Sequence, residues 1–119
     1  MSTIKAYSDL PQSKKLAEIL PIKSADMRYH TISHYNSYPC DEIVYMVEFG
    51  KASDKDIPCW SLAALLMVLP EPELIQNSEG KWTLIYWDKS RFPWDIGNHV
   101  NPVDACVEMI MKLHELKLL

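Results

Sequence analysis

Glycine is scarce in this chain: three in 119 residues, at 50, 80 and 97. Isolated glycines do not build a phosphate-cradling loop, which needs several backbone N–H groups crowded around one anion. GxSxG and HExxH are also missing, so neither a nucleophile elbow nor a zincin helix is encoded. Cysteine is equally sparse. Cys40, Cys59 and Cys106 form no CxxC, and an odd, scattered set provides no disulfide framework. Positive charge is in deficit, with 12 Lys and Arg against 16 Asp and Glu and a net charge of −4. That argues against a nucleic-acid footprint and against attraction to an anionic membrane. No apolar run reaches the roughly 20 residues that cross hydrocarbon. Met1-Ser2-Thr3-Ile4-Lys5 lacks the apolar stretch of a signal peptide. The expectation is a cytoplasmic protein with reduced thiols, no cofactor, no nucleic acid and no membrane partner.

What is present suits a globular protein: 48% hydrophobic and 24% charged residues. The length fits one domain, 1–119, with no linker, repeat or low-complexity tract. The stretch Pro58 to Pro70, uncharged and with Pro at each end, is the expected organising element. Leu62, Leu65, Leu66 and Leu69 recur at helical spacing, with Ala63, Ala64, Met67 and Val68 around them. Asp56 reads as the N-cap, Pro58 as a first-turn residue and Pro70 as the stop. A helix apolar on all sides is expected to lie inside the core.

Upstream, Ser8-Asp9-Leu10-Pro11 opens a helix with Leu16, Ala17, Ile19 and Leu20 on its apolar face, ended by Pro21. Met27–Ile32 reads as a strand, Ser33–Asp41 as a polar turn, and Glu42–Phe49 as a second strand. The middle of that second strand is apolar on both faces, which places it centrally in a sheet. Downstream, Glu73–Gln76 and Lys81–Trp87 form a hairpin across Asn77-Ser78-Glu79-Gly80. Asp88–Val100 reads as a loop. Asn101 caps a final helix, with Pro102 in its first turn and Asp104 near its positive end. Val103, Cys106, Val107, Ile110 and Leu113 line one face, flanked by Met109 and Met111. Glu108 and Lys112 form an i,i+4 pair on the other, and the helix runs to about Leu116. The order α-β-β-α-β-β-α implies an α+β fold: about four strands in a small antiparallel or mixed sheet, with three helices packed on it.

Pro58-Cys59-Trp60-Ser61-Leu62-Ala63-Ala64-Leu65-Leu66, Leu69-Pro70, the Trp-bearing hairpin and Asn101-Pro102-Val103-Asp104-Ala105 with Glu108-Met109 and Leu113 carry a resemblance. Over Pro58–Leu118 the chain resembles a group of small uncharacterised proteins of Bacteroides-type gut bacteria and their phages and mobile elements. The resemblance implies a small intracellular protein of mobile-element origin. It brings no activity and no catalytic residue with it.

Four constellations bear on chemistry. His30 and His34 are four apart, a metal-gripping spacing on a helix but about 13 Å apart on a strand, so no metal site is expected. Cys59 at a helix N-terminus, with His30, His34 or His99 approaching, would suit a thiolate nucleophile of a hydrolase or transferase. The alternative is a small buried core thiol, which is the commoner use of such a residue. Cys40, beside Asp41 and Glu42, has acids that raise its pKa. Trp82, Tyr86, Trp87, Phe92 and Trp94 crowd into 13 positions. Trp82, Leu84 and Tyr86 share one strand face, Thr83, Ile85 and Trp87 the other. Trp87, Arg91, Phe92 and Trp94 are the candidate binding residues, since aromatics with Arg anchor interfaces; the alternative, and the commoner use of such rings, is that they finish the core and cover the sheet edge. Interleaved Lys81, Lys89 and Arg91 suit single-strand nucleic acid, but Asp88 and Asp95 offset that charge. Tyr29, Tyr35, Tyr38 and Tyr45 read as cross-strand packing or a polar-aromatic surface. The function expected is a non-enzymatic interaction or adaptor protein that binds a protein partner or itself as a homodimer. The alternative is Cys59-dependent catalysis.

Overall fold

The structure is a computed structural model and describes residues 5–31, 45–69 and 71–119. The expectations for His34, Tyr35, Tyr38, Cys40 and Glu42–Val44 lie outside the described residues. The described chain is α+β, with three α-helices and two separate three-stranded antiparallel sheets. That corrects the expected single sheet of about four strands.

Helix α1 spans Leu10–Ala17. Its start is a complete capping box: Asp9 accepts from the Gln12 N–H, and the Gln12 side chain accepts from the Asp9 N–H. Leu16 is fully buried, Ile19 and Leu20 pack against the core, and Ala17 faces outward. A single 3-10 turn, Ile22–Ser24, leads into the first sheet. That sheet comprises β1 (Met27–Thr31), β2 (Tyr45–Phe49) and β3 (Ile57–Cys59), in the order β2-β1-β3. Among the described strands β2 is therefore an edge strand, not the central one expected from its apolar run. Apolar character on both faces marks a strand for burial, but only neighbours can deliver it. Here Met46 and Phe49 are exposed.

The organising helix also differs from expectation. Residues 57–59 pair with β1, Met27 opposite Cys59 and Arg28 opposite Pro58. Pro58 tolerates this because β3 pairs on one side only. Asp56 does not cap the helix. Its carboxylate accepts from the Ser53 N–H at 2.8 Å and from the Ser53 hydroxyl. Helix α2 spans Leu62–Val68 and is capped by Ser61, whose Oγ accepts from the Ala64 N–H. Ser61 is itself held by the Asp26 carboxylate, through its N–H and its hydroxyl. The helix is not buried all round: Leu65 is fully enclosed, but Met67 is 85% exposed. Trp60, just before the helix, is the largest wholly buried side chain, and its indole N–H donates to Ser24 Oγ.

The second sheet comprises β4 (Pro72–Gln76), β5 (Trp82–Trp87) and β6 (Pro93–His99), in the order β4-β5-β6. The expected hairpin is present. The Asn77 side chain accepts from the Glu79 and Lys81 N–H groups, and Gly80 takes a φ of +79°. Strand β6 replaces most of the expected 88–100 loop. Asp, Gly and Asn give it little strand propensity of its own, so its pairing with β5 decides its conformation. Helix α3 spans Pro102–Glu115 with Asn101 as N-cap, accepting from the Asp104 N–H at 2.8 Å. Val103, Cys106, Val107, Ile110 and Leu113 are buried as expected, and Ala105 and Met109 widen the stripe. Glu108 meets His99 Nε2 across to β6 rather than pairing with Lys112. Helix α3 packs against β5 and β6, and its stripe with Leu84, Tyr86, Ile96, Leu65, Trp60 and Leu16 forms the core.

Candidate functional site

Register sorts the residues of the second sheet into two faces. Leu84 stands opposite Leu74 and Ile96, and Tyr86 opposite Trp94, so these side chains share the face that meets α3. Glu73, Ile75, Thr83, Ile85, Trp87 and Asp95 share the other face. Among the described helices, α3 alone packs broadly on this sheet. The outer face is half-buried to exposed, and Ile75 is 48% exposed.

The four candidate binding residues therefore divide. Trp87 lies on the outer face, and its indole N–H donates to Glu73 Oε1 at 3.1 Å. Trp94 lies on the inner face and packs against the core, with its indole N–H donating to Asp88 Oδ2 at 3.1 Å. Phe92 is 55% exposed and stands edge-to-face on Trp94, ring centres 5.2 Å apart. Arg91 is exposed and lies across a surface cleft from Glu71 and Glu73. That cleft holds about 420 Å³ and is lined by Glu71, Pro72, Glu73, Trp87 and Arg91. A second recess of about 310 Å³, lined by Asp88 and Lys89 among others, shares Glu71, Trp87 and Arg91 with it.

The turn that shapes the cleft is built by Asp88. Its Oδ1 accepts from the Ser90 N–H at 2.8 Å and the Phe92 N–H at 3.0 Å. These bonds, led by the one from Phe92, hold the Asp88 carboxyl below its ordinary pKa. The turn places Arg91 at a φ of +62°, and Glu71 across the cleft has a φ of +47°. Two non-glycine residues in the left-handed region thus flank Trp87, a conformation that costs on the order of 1 kcal/mol each. Sequence reasoning found Trp87 and Arg91 but missed Asp88, Glu71 and Glu73. An Asp opening a short polar turn is a readable signal for the first. Nothing local marks the two glutamates, because β4 pairing brings them there.

Cys59 lies in β3, not at a helix N-terminus, and is fully buried. It sits in a polar knot in which the Ser8 and Ser13 hydroxyls are 2.7 Å apart and the Tyr29 hydroxyl donates to the Ser8 carbonyl. Its thiol donates toward the Ser8 carbonyl at 3.4 Å. Burial, the largest effect, pushes the thiol pKa up despite the hydrogen bonds around it. Burial likewise pushes Cys106 up to about 12. A thiolate nucleophile needs access and a lowered pKa, and Cys59 has neither. His30 lies in β1 with Nδ1 3.2 Å from Glu48 Oε1, while His99 meets Glu108. Among the described residues no group of three His, Cys, Asp or Glu side chains is arranged to hold a metal ion. No described helix is long and apolar enough to cross a membrane. Comparison of the chain with protein-family models, with curated proteins and with solved structures found no match.

Proposed function

We propose that this chain is a non-enzymatic interaction protein of the cytosol that holds a protein partner on the outer face of its second sheet. The observation that carries the reading is Trp87: a half-buried indole on a sheet face that no described helix covers, oriented by Glu73 and flanked by a cleft with Glu71 and Arg91 on its walls. Aromatic and Arg side chains in a recess, ringed by polar groups, are the usual anchors of protein interfaces. Arg91 and Phe92 complete the contact surface, and Trp94 supports it from the inner face. The scattered cysteines favour a reducing compartment. An origin in a phage or mobile element, which the second half of the chain suggests, fits a small adaptor.

The test is capture of partners from cells that express the chain, followed by affinity measurement with the purified partner. Trp87→Ala is expected to weaken binding at least about tenfold, the scale of an interface anchor, with the melting temperature nearly unchanged. A partner bound equally by wild type and by folded Trp87→Ala and Arg91→Ala variants contradicts the reading.

A further inference from the structure

The two described sheets have four outer strand edges, and they are not protected alike. In the second sheet, β4 begins at Pro72 and carries Glu73. Strand β6 begins at Pro93 and carries Asp95. It also has a register break against β5 and a left-handed Asn98 at φ +64°. Proline, charge and irregularity are the usual devices that stop an edge from pairing with another chain. In the first sheet, β3 contains Pro58 and has α1 packed against it. Strand β2 has none of these devices. Its residues are Tyr45-Met46-Val47-Glu48-Phe49, paired one to one with β1 and without a break. Its one charge, Glu48, is turned to its own sheet and bonded by Arg28 at 2.8 Å. Met46 is 44% exposed and Phe49 74% exposed. Among the described residues no strand pairs with its outer edge.

The sequence of β2 is also self-complementary when run antiparallel. With Val47 opposite Val47 of a second copy, Tyr45 stands opposite Phe49 at both ends. Val47 and both aromatic pairs share one face, and aromatic and β-branched cross-strand pairs are the favourable ones. On the other face Met46 meets Glu48, so the two Glu48 carboxylates do not oppose each other. From these observations we infer that β2 is a homodimerisation edge. Two copies pair their β2 strands about a two-fold axis at Val47 and join two three-stranded sheets into one. This surface is separate from the Trp87 face and does not depend on it.

A five-residue seam buries less than the roughly 1,000 Å² of a stable interface, so the dimer forms only at high concentration, on the order of 100 µM. Sedimentation equilibrium between about 10 µM and about 1 mM reads it directly. Wild type should rise from monomer mass toward dimer mass. Val47→Lys, which sets like charges against each other, and Phe49→Lys, at an exposed position, should each move that rise at least about tenfold higher in concentration. Phe92→Lys on the second sheet should leave it in place. Wild type that stays monomeric throughout overturns the inference. So does association lost in Phe92→Lys but kept in Val47→Lys, which would assign self-contact to the Trp87 face. Should the lysine variants unfold, cysteine pairing in a Cys40→Ser background decides the register. Val47→Cys should form an intermolecular disulfide readily and Met46→Cys should not, and equal cross-linking of the two overturns it.

Discussion

The two sheets have the same number of strands and opposite relations to the core. At the centre of the second sheet burial alternates: Leu84, Tyr86 and Ile96 are buried under α3, while Ile85 and Asp95 on the other face stay partly or fully exposed. In the first sheet only Met27 and the β3 residues Pro58 and Cys59 are buried. Strand β2, apolar at Tyr45, Met46, Val47 and Phe49, has no buried residue. The contrast teaches that burial follows from what packs on a strand rather than from how apolar the strand is. A covered sheet can present a functional outer face because its inner face is fixed. The first sheet, covered only at its β3 side by α1 among the described helices, is held by the Arg28–Glu48–His30 cluster on one face and by the Tyr29 hydroxyl, which donates to the Ser8 carbonyl of the N-terminal segment, on the other.

The largest expected effect that sharpens this contrast is core truncation in the second sheet. Leu84→Ala should cost about 3 kcal/mol, whereas Val47→Ala in β2 should cost about 1 kcal/mol or less in dilute solution, both read by denaturant titration. Equal losses would break the contrast. Next comes the clasp that ties the N-terminal segment to α3. Asp104 accepts from Lys5 Nζ at 2.7 Å, Gln12 Nε2 at 2.8 Å and Asn101 Nδ2 at 2.8 Å. Burial raises the Asp104 pKa, but these donors and the Lys5 charge more than offset it, so the net direction is down. Its stabilisation is therefore present above the ordinary carboxylate pKa and is lost as pH falls through the depressed value. Asp104→Asn should cost about 2 kcal/mol at neutral pH and flatten the acid limb of the stability–pH curve. Lys5 mirrors it. Burial lowers its pKa, the bonds to Asp104 and Asp9 raise it, and the net direction is up. Its contribution is present below the ordinary lysine pKa and fades as pH rises through the raised value. Removing the cap with Asn101→Ala should cost about 1 kcal/mol by thermal melting. The smallest effect is expected at Phe92→Ala, within about 0.5 kcal/mol of wild type in stability, because its ring is mostly solvated.

Much of the fold was legible because it is written in local signals. Asp9-x-x-Gln12 and Asn101-Pro102 mark helix starts that the structure keeps. The α3 stripe and the Asn77–Gly80 turn also follow from spacing and residue type. Three elements were not legible, each for a nonlocal reason. Strand β3 hides behind Pro58, which reads as a helix start until β1 is known to lie beside it. Strand β6 hides in low-propensity residues that β5 organises. The edge position of β2 depends on the order of strands, which no window of sequence contains. At the candidate site, Trp87 and Arg91 were visible as residue types. Glu71 and Glu73 became part of the site only through pairing across β4 and β5. Trp94 looked the same as Trp87 in sequence, yet it falls on the inner face because register to Tyr86, not composition, assigns it.

The most direct test of the contrast is amide hydrogen exchange followed strand by strand at about 10 µM and about 1 mM protein. Amides of β5 should exchange only through global unfolding, at the same rate at both concentrations. Amides of β2 should exchange faster when dilute and gain protection when concentrated, as the outer edge finds its copy. Protection of β2 equal to that of β5 in dilute solution would contradict an open β2 edge on the first sheet.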